Sequence, residues 1–245
     1  MKIAVAGATG VVGHHVVEVA RARGHQVVEL ARSLGVDLTT GAGLAERLDG
    51  VDAVVDVTSV PTLKREEAEA FFGAVTRTLL AGEERAGVGH HVALSIVGVD
   101  DVPSGYYRGK QLQERLVREA PVGWSILRAT QFHEFAEQAL GFMRLGPLSL
   151  VPGMLSQPIA AVEVAEALVD LAEAGPSGRV PDLAGPDRLS MVTLARRVSK
   201  ARGLGRRVVG LPVPGAAGRA MRGGSLCPDT DGPRGRITFE EWLAS

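Results

Sequence analysis

Three glycines near the start of the chain have the spacing of a turn that can hold an anion. The stretch MKIAVAGATGVVGHHVV places Gly7, Gly10 and Gly13 between a short apolar run and an amphipathic one. Gly7 allows a positive φ at a strand end, Gly10 allows close approach of a phosphate, and Gly13 lets a helix pack against the strand. The alternative is a tight strand–helix turn without a ligand. The predicted dinucleotide pyrophosphate site comprises Gly7, Ala8, Thr9, Gly10, Val11, Val12 and Gly13.

A second pair of residues suited to chemistry lies in the stretch GYYRGK. Tyr106 and Lys110 are four residues apart, so both side chains lie on one face of a predicted helix over 105–119. A phenol can give or take a proton, and a nearby ammonium lowers its pKa. The alternative is a chance pairing, since such pairs occur on many helices. Tyr107 has no lysine four residues further on.

The elements that must position these residues alternate along the chain. Apolar runs predict strands over 3–6, 26–31, 52–57, 90–96 and 124–128, and helical spacing predicts helices over 11–23, 42–48, 65–86 and 105–119. This alternation indicates an α/β fold with a Rossmann-type, doubly wound parallel sheet. Further helices are predicted over 161–173 and 190–202, with a closing helix that carries Phe239, Trp242 and Leu243 on one apolar face. We predict a single domain over 1–245, in which 1–146 form the dinucleotide-binding core and 147–245 the substrate-side lobe.

The composition excludes several classes of protein. Of the 245 residues, 45% are hydrophobic and 22% are charged, the formal net charge is −1, and no long apolar run is present. We therefore expect a small-molecule substrate and neither nucleic acid nor membrane as a partner. The lone Cys227 predicts a reducing, cytoplasmic location, and no ligand spacing for a metal is found. The oligomeric state is left open between monomer and homodimer.

Five stretches, in order along the chain, carry a resemblance to a known family. They are GATGVVG, ALSIVGVD, YYRGK, WSILRATQF and GRITFEEWLA. With them the sequence resembles the atypical short-chain dehydrogenase/reductase superfamily, in particular its NmrA-like, NAD(P)-binding branch. The resemblance implies that Tyr106 is the general acid/base, that Lys110 holds the nicotinamide ribose, and that Ser95 hydrogen-bonds the substrate oxygen.

The choice of dinucleotide depends on the end of the second predicted strand, ELARS. Arg32 and Ser33 lie at the strand tip, where they can hold the 2′-phosphate of NADP, whereas Glu29 lies mid-strand. A solvated surface arginine is the alternative for Arg32. We predict NADPH as the preferred cofactor, with NADH as the alternative. The resemblance adds four residues around the adenosine, Asp37, Leu38, Val57 and Thr58.

The stretch after the last strand of the core supplies the remaining site residues. The resemblance implies that Thr130, Gln131 and Phe132 run beside the nicotinamide and that His133 faces the substrate. From the residues alone, a surface histidine at the start of a helix is the favoured alternative for His133.

The function predicted from these observations is an NADPH-dependent oxidoreductase that reduces a small carbonyl, quinone-like or imine-like compound. A non-catalytic sensor of NADP(H) is the second hypothesis. A sugar-nucleotide epimerase or dehydratase is the third, disfavoured because fewer than a hundred residues follow Gly146.

Overall fold

The structure is a computed structural model that describes all residues, 1–245, and it contains alternating strands and helices over its first half. The elements before residue 130 are β1 (Lys2–Ala6), α1 (Gly13–Ala22), β2 (Gln26–Leu30), β3 (Ala53–Asp56), α2 (Arg65–Ala86), β4 (His90–Ile96), α3 (Gly105–Glu119) and β5 (Gly123–Ala129). Those after it are α4 (Phe135–Phe142), β6 (Arg144–Leu145), β7 (Leu148–Pro152), β8 (Leu155–Ser156), α5 (Ala161–Ala174), β9 (Gly178–Arg179), β10 (Leu189–Ser190), α6 (Met191–Ala201), β11 (Arg207–Leu211), α7 (Gly215–Gly223) and α8 (Phe239–Ala244).

The chain forms two compact units, each assembled from three separate segments. The first unit contains residues 1–95, 104–128 and 164–180. The second unit contains residues 96–103, 129–163 and 181–245. The predicted organisation, one domain with a core up to residue 146, stays a prediction.

The first unit is built on a six-stranded sheet with the order β2-β1-β3-β4-β5-β9. Strand β1 pairs in parallel with both β2 and β3, and β3 pairs in parallel with β4. The predicted Rossmann-type fold is therefore confirmed. Because the strand order reverses between β1 and β3, their carboxyl ends form the crevice in which such sheets bind ligands. The glycine turn follows one of these two strands.

Several predicted elements match the structure. The helices predicted over 65–86 and 105–119 and the strand over 90–96 have these bounds in the structure. The first helix begins at Gly13 rather than at residue 11, because the preceding residues form the turn closed by the bond from Gly10 N to Gly7 O. The helix predicted over 42–48 is a single 3₁₀ turn at Ala45–Arg47.

The second unit contains small elements that the sequence analysis did not predict. A three-stranded sheet has the order β11-β7-β6, and β8 pairs with β10. The predicted closing helix is α8, which begins with a capping box in which Thr238 Oγ1 accepts from Glu241 N. No helix in the chain is both long and apolar enough to cross a membrane.

Candidate functional site

The glycine turn has the geometry that its spacing predicts. Gly7 has a φ of 83°, in the left-handed region that favours glycine. A Cβ on Gly13 would lie 2.0 Å from Gly7 O, so the first turn of α1 packs on the end of β1 only because residue 13 has no side chain. Replacing either glycine would force the turn open.

The turn lies at the crevice between β1 and β3. A Cβ on Gly7 would lie 3.1 Å from Val57 O and 3.2 Å from Thr58 Cα. A Cβ on Gly10 would lie 3.2 Å from Gly7 O, a tight contact within the turn. Gly10 is exposed and has no side chain, so a ligand can reach its backbone. The turn fits a pyrophosphate on these grounds. Of its other predicted members, Thr9 and Val11 are exposed, and Ala8 and Val12 are buried.

The predicted 2′-phosphate residues follow β2 at the same edge of the sheet. The amide of Gly7 donates to Leu30 O at 3.0 Å, so the end of β2 is tied to the glycine turn. Arg32 and Ser33 are both exposed in the 3₁₀ turn at Arg32–Leu34. Glu29 accepts from Arg21 at 2.7 Å. The free end of β2 therefore presents a cation, while the acid in the strand already has a partner.

The two residues assigned to the adenine loop have local roles in the structure. Asp37 Oδ1 accepts from Thr39 N at 2.8 Å and from Thr39 Oγ1 at 2.6 Å, and these bonds lower the pKa of the carboxyl. Leu38 is buried in the core cluster that includes Leu30 and Leu79. Their contact with an adenine stays a prediction.

Tyr106 lies at the first turn of α3, beside the loop that follows β3. Its hydroxyl and that of Ser59 are 3.1 Å apart. Burial raises the pKa of the Tyr106 phenol, while the hydrogen bond from Ser59 lowers it in part. The ring of Phe72 stands edge-on to Tyr106, with 5.6 Å between centroids.

Lys110 lies one turn after Tyr106 on α3, buried in a cage of oxygen atoms. Its ammonium donates to Leu94 O at 2.9 Å, to Gln113 Oε1 at 2.9 Å and to Thr58 O at 3.4 Å. It also lies 4.5 Å from the centre of the Phe72 ring, which touches Tyr106. Burial lowers the pKa of Lys110 to about 8, although the carboxylates of Asp56 and Glu114 act in the opposite direction.

Asp56 completes the cage from the end of β3. Its Oδ2 accepts from Gln113 Nε2 at 2.8 Å, and its Oδ1 accepts from Thr58 N at 2.9 Å and from Thr58 Oγ1 at 2.7 Å. Gln113 therefore links the carboxylate of Asp56 to the ammonium of Lys110. Sequence reasoning did not identify Gln113, which lies three residues after Lys110 on the buried face of α3.

Ser95 is committed to a buried ion pair. Its hydroxyl donates to Glu114 Oε1 at 2.5 Å. Arg128 donates to both oxygens of Glu114 at 2.7 Å, and Arg118 donates to Oε2 at 2.9 Å. These donors outweigh burial and lower the pKa of the Glu114 carboxyl. The predicted role of Ser95 at a substrate oxygen stays a prediction.

Two glycines of GYYRGK bring α3 close to its neighbours. A Cβ on Gly105 would lie 2.2 Å from Leu63 O, and one on Gly109 would lie 2.6 Å from Phe72 Cδ2. They place the helix against the loop after β3 and against α2. Sequence reasoning missed both, although their positions on either side of the tyrosines were a signal of close packing.

The second unit holds the segment predicted to lie beside the nicotinamide. Thr130 Oγ1 donates to Gln157 O at 2.6 Å, and Phe132 forms a bridge with Ile159. Gln131 is buried, and neither atom of its side-chain amide has a hydrogen-bond partner. An amide in this state is unusual, because burial removes its bonds to water.

His133 is 1% exposed, so the surface alternative is wrong. Its Nε2 donates to Ile237 O at 3.1 Å, and its ring packs on Phe239 and Trp242 with 5.5 and 5.6 Å between centroids. Burial lowers the pKa of His133 despite the bond to Ile237. The substrate contact of His133 stays a prediction.

One family profile matches most of the chain. It is described as NAD(P)H-binding, and it matches residues 7–174, which include the glycine turn and the Tyr106–Lys110 pair. The chain belongs to this NAD(P)H-binding family. No curated protein matches the sequence.

Solved structures with bound NAD share the fold of this NAD(P)H-binding chain. MoeE5 in complex with UDP-glucuronic acid and NAD is 16% identical and has a TM-score of 0.72, with 100% of this chain and 97% of that chain covered. A superfamily protein from Agrobacterium tumefaciens with bound NAD is 18% identical and has a TM-score of 0.69, with coverage of 100% and 95%.

A reductase has the same fold. The dTDP-4-dehydrorhamnose reductase from Clostridium acetobutylicum is 14% identical and has a TM-score of 0.66, with coverage of 86% of this chain and 84% of that chain. The NAD(P)-binding part of the predicted resemblance is thus confirmed by the family profile. The family profile shows an NAD(P)H-binding chain, and these structures show the fold that it shares.

Proposed function

We propose that the protein is an NADPH-dependent oxidoreductase that reduces a small carbonyl, quinone-like or imine-like compound. One observation carries this proposal. Thr58 packs against Gly7 of the glycine turn, and its carbonyl oxygen accepts from the ammonium of Lys110. The predicted pyrophosphate site and the predicted catalytic helix therefore meet at one residue.

Each polar side chain around this point has a defined task in such a reaction. NADPH supplies the hydride when it is bound. Tyr106 donates its phenolic proton to the substrate oxygen or nitrogen as negative charge develops there. The ammonium of Lys110 favours the tyrosinate that remains, and the oxygen cage holds that ammonium in place. The pKa of about 8 leaves Lys110 mostly protonated at neutral pH.

The preference for NADPH rests on Arg32. Its guanidinium is exposed at the end of β2, and no acidic side chain occupies this tip in its place. A planar, permanently charged fork suits a phosphate monoester better than a ribose hydroxyl. The 2′-phosphate of NADPH would therefore gain an interaction that NADH lacks.

A thermal-shift titration with NADPH and NADH tests the cofactor site. Binding raises the melting temperature by mass action, so NADPH should raise it more than NADH at equal concentration. Arg32→Ala should remove most of that difference and leave the NADH shift unchanged. Arg85→Ala, which removes an exposed arginine at the end of α2, is the matched control. Absence of a shift with either dinucleotide would refute the cofactor assignment.

Turnover separates an enzyme from a sensor. We expect oxidation of NADPH, followed at its own absorbance, with at least one member of a panel of aldehydes, ketones, quinones and imines. Tyr106→Phe should lower kcat by about 10²–10⁴-fold, the usual contribution of a general acid. Tight binding of NADPH without any oxidation would instead support the NADP(H) sensor.

A further inference from the structure

We propose that Ser59 is a second catalytic hydroxyl of this protein and relays a proton from water to Tyr106. The proposal rests on the proposed function, in which Tyr106 is the proton donor. Ser59 lies in the loop between β3 and α2, three residues after the end of the strand. None of the motifs in the sequence analysis includes it.

Geometry supports Ser59 as the partner of the reacting phenol. The hydroxyls of Ser59 and Tyr106 are 3.1 Å apart, within hydrogen-bond distance. Ser59 is exposed, whereas Tyr106 is partly buried and contacts Phe72 and Tyr107 edge-on. The serine hydroxyl can therefore exchange protons with water and pass them to the phenol.

The other polar side chains near Tyr106 are already occupied. The hydroxyl proton of Ser95 goes to Glu114, which two arginines also hold. Lys110 has three protons and donates to three oxygens in a closed cage. An ammonium carries three donors and no acceptor, so in this arrangement it has none left for a proton path. Ser59 has its hydroxyl within hydrogen-bond distance of the phenol.

The loop that carries Ser59 is anchored between Ser59 and α2. A Cβ on Gly105 would collide with Leu63 O, so α3 and this loop lie at backbone contact. Further along the loop, Thr62 Oγ1 donates to Glu67 at 2.6 Å and accepts from Lys64 N at 3.1 Å. These contacts hold the loop at the start of α3, where Tyr106 lies.

The proton balance of the relay is simple. Tyr106 gives its proton to the substrate atom that becomes negative when the carbon next to it accepts the hydride. The tyrosinate then takes the hydroxyl proton of Ser59, while Ser59 takes a proton from water. Both hydroxyls end as they began, and the solvent supplies the proton that the product keeps. No oxidation state changes at either residue.

A spectroscopic experiment tests the coupling without a substrate. The chain has two tyrosines, so Tyr107→Phe leaves Tyr106 as the only one. Incorporation of 3-fluorotyrosine then gives a single ¹⁹F resonance whose shift reports ionisation of the phenol. Ser59→Ala should raise its midpoint by about one pH unit, because loss of a hydrogen bond to the tyrosinate costs about one such unit. Ser59→Thr should restore the midpoint.

Two further serine variants make this result specific. Ser104 is a matched control, because it lies two residues from Tyr106 and its side chain does not cap α3. Ser104→Ala should therefore leave the midpoint unchanged. Ser95→Ala should shift the midpoint less than Ser59→Ala does. The proposal fails if Ser59→Ala leaves the midpoint in place, or if Ser95→Ala moves it by as much.

The activity assay separates this proposal from the proposed function. In NADPH oxidation with the best substrate of the carbonyl and quinone panel, Ser59→Ala should lower kcat about tenfold or more with little change in KM. The same change in the Tyr106→Phe background should cause no further loss, because Ser59 acts through the phenol. If wild type oxidises NADPH and Ser59→Ala equals it, the relay alone is refuted. If wild type does not oxidise NADPH at all, the proposed function fails and the relay fails with it.

Discussion

The polar cage around Lys110 in the first unit differs from the segment 131–134 in the second. Around Lys110, the side chains of Asp56, Gln113 and Glu114 are buried and each is hydrogen-bonded. In the segment 131–134, both amide atoms of Gln131, Nδ1 of His133 and Oε2 of Glu134 are buried without a partner.

The difference is one of hydrogen bonding: the buried polar groups around Lys110 have partners, and those of the segment 131–134 lack them. A fully bonded buried network fixes its members in one geometry, as a proton donor and its cation require. Buried groups without partners cost free energy, which a bound ligand can recover by supplying the missing bonds. The network around Lys110 is therefore organised before a ligand arrives. The buried polar atoms of the segment 131–134 have no partner in the protein and are open to a ligand.

The largest effect on stability is expected from removing Arg128 from the hydrogen-bonded network around Glu114. Arg128→Leu leaves Glu114 buried with a carboxylate that has lost its bidentate partner. We expect a loss of about 3–5 kcal/mol in the free energy of unfolding, measured by urea denaturation. Arg118→Leu is the matched control, because Arg118 binds the same carboxylate from a side chain that is 43% exposed. Arg118→Leu should lower the free energy of unfolding by about 1 kcal/mol or less. Equal losses for the two variants would show that burial of Arg128 adds nothing to its ion pair with Glu114.

A matched pair of glutamine variants compares the two regions directly. Gln113→Met should lower the free energy of unfolding by about 1–3 kcal/mol, because it leaves the partners of a doubly bonded amide unpaired. Gln131→Met should change it by about 0.5 kcal/mol or less, or raise it, because its amide has no bonds to lose. Chemical denaturation of both variants without added ligand gives the comparison. A loss at Gln131 as large as that at Gln113 would contradict it.

The smallest effect concerns acid stability in the second unit. Burial lowers the pKa of His133, while Ile237 O and the carboxylates of Glu134, Glu163 and Glu240 act against this. The unfolded chain binds a proton near pH 6.5, so the stabilisation by neutral His133 is full above about pH 6.5 and is lost as pH falls towards the lowered value.

We expect His133→Gln to flatten the acid limb of the melting temperature against pH. The amide of glutamine can still donate to Ile237 O but does not titrate. The corresponding slope removed from the free energy of unfolding should be at most about 1.4 kcal/mol per pH unit. His90 and His91 are present in both proteins, so their contributions cancel in the difference. Parallel curves for wild type and variant would show that His133 titrates equally in the folded and unfolded chains.

Much of the first unit could be predicted because its signals are local. The glycine spacing determined the turn at Gly7, and the helix and strand bounds from residue 65 to residue 119 follow from apolar periodicity and from capping glycines. The i, i+4 spacing also placed Tyr106 and Lys110 on one side of α3, where both meet Phe72. These features depend on residues close together in the sequence.

The rest depends on contacts between distant residues. Ser59 is 47 residues from Tyr106, and Gln113 is 57 residues from Asp56, so no spacing rule links them. The strands of the second unit are two to five residues long, too short for a clear alternation of polar and apolar positions. The hydrogen bond from Ser95 to Glu114 likewise joins residues 19 positions apart, and no sequence pattern predicts it.

The division of the chain into interleaved segments has a consequence for synthesis on the ribosome. The chain passes from one unit to the other five times, at residues 95, 103, 128, 163 and 180. The last strand of the large sheet, β9, is translated only after most of the chain has emerged. A nascent chain therefore cannot complete the first unit and then begin the second. Neither unit is complete until late, and a premature stop codon between residue 96 and β9 leaves both units incomplete.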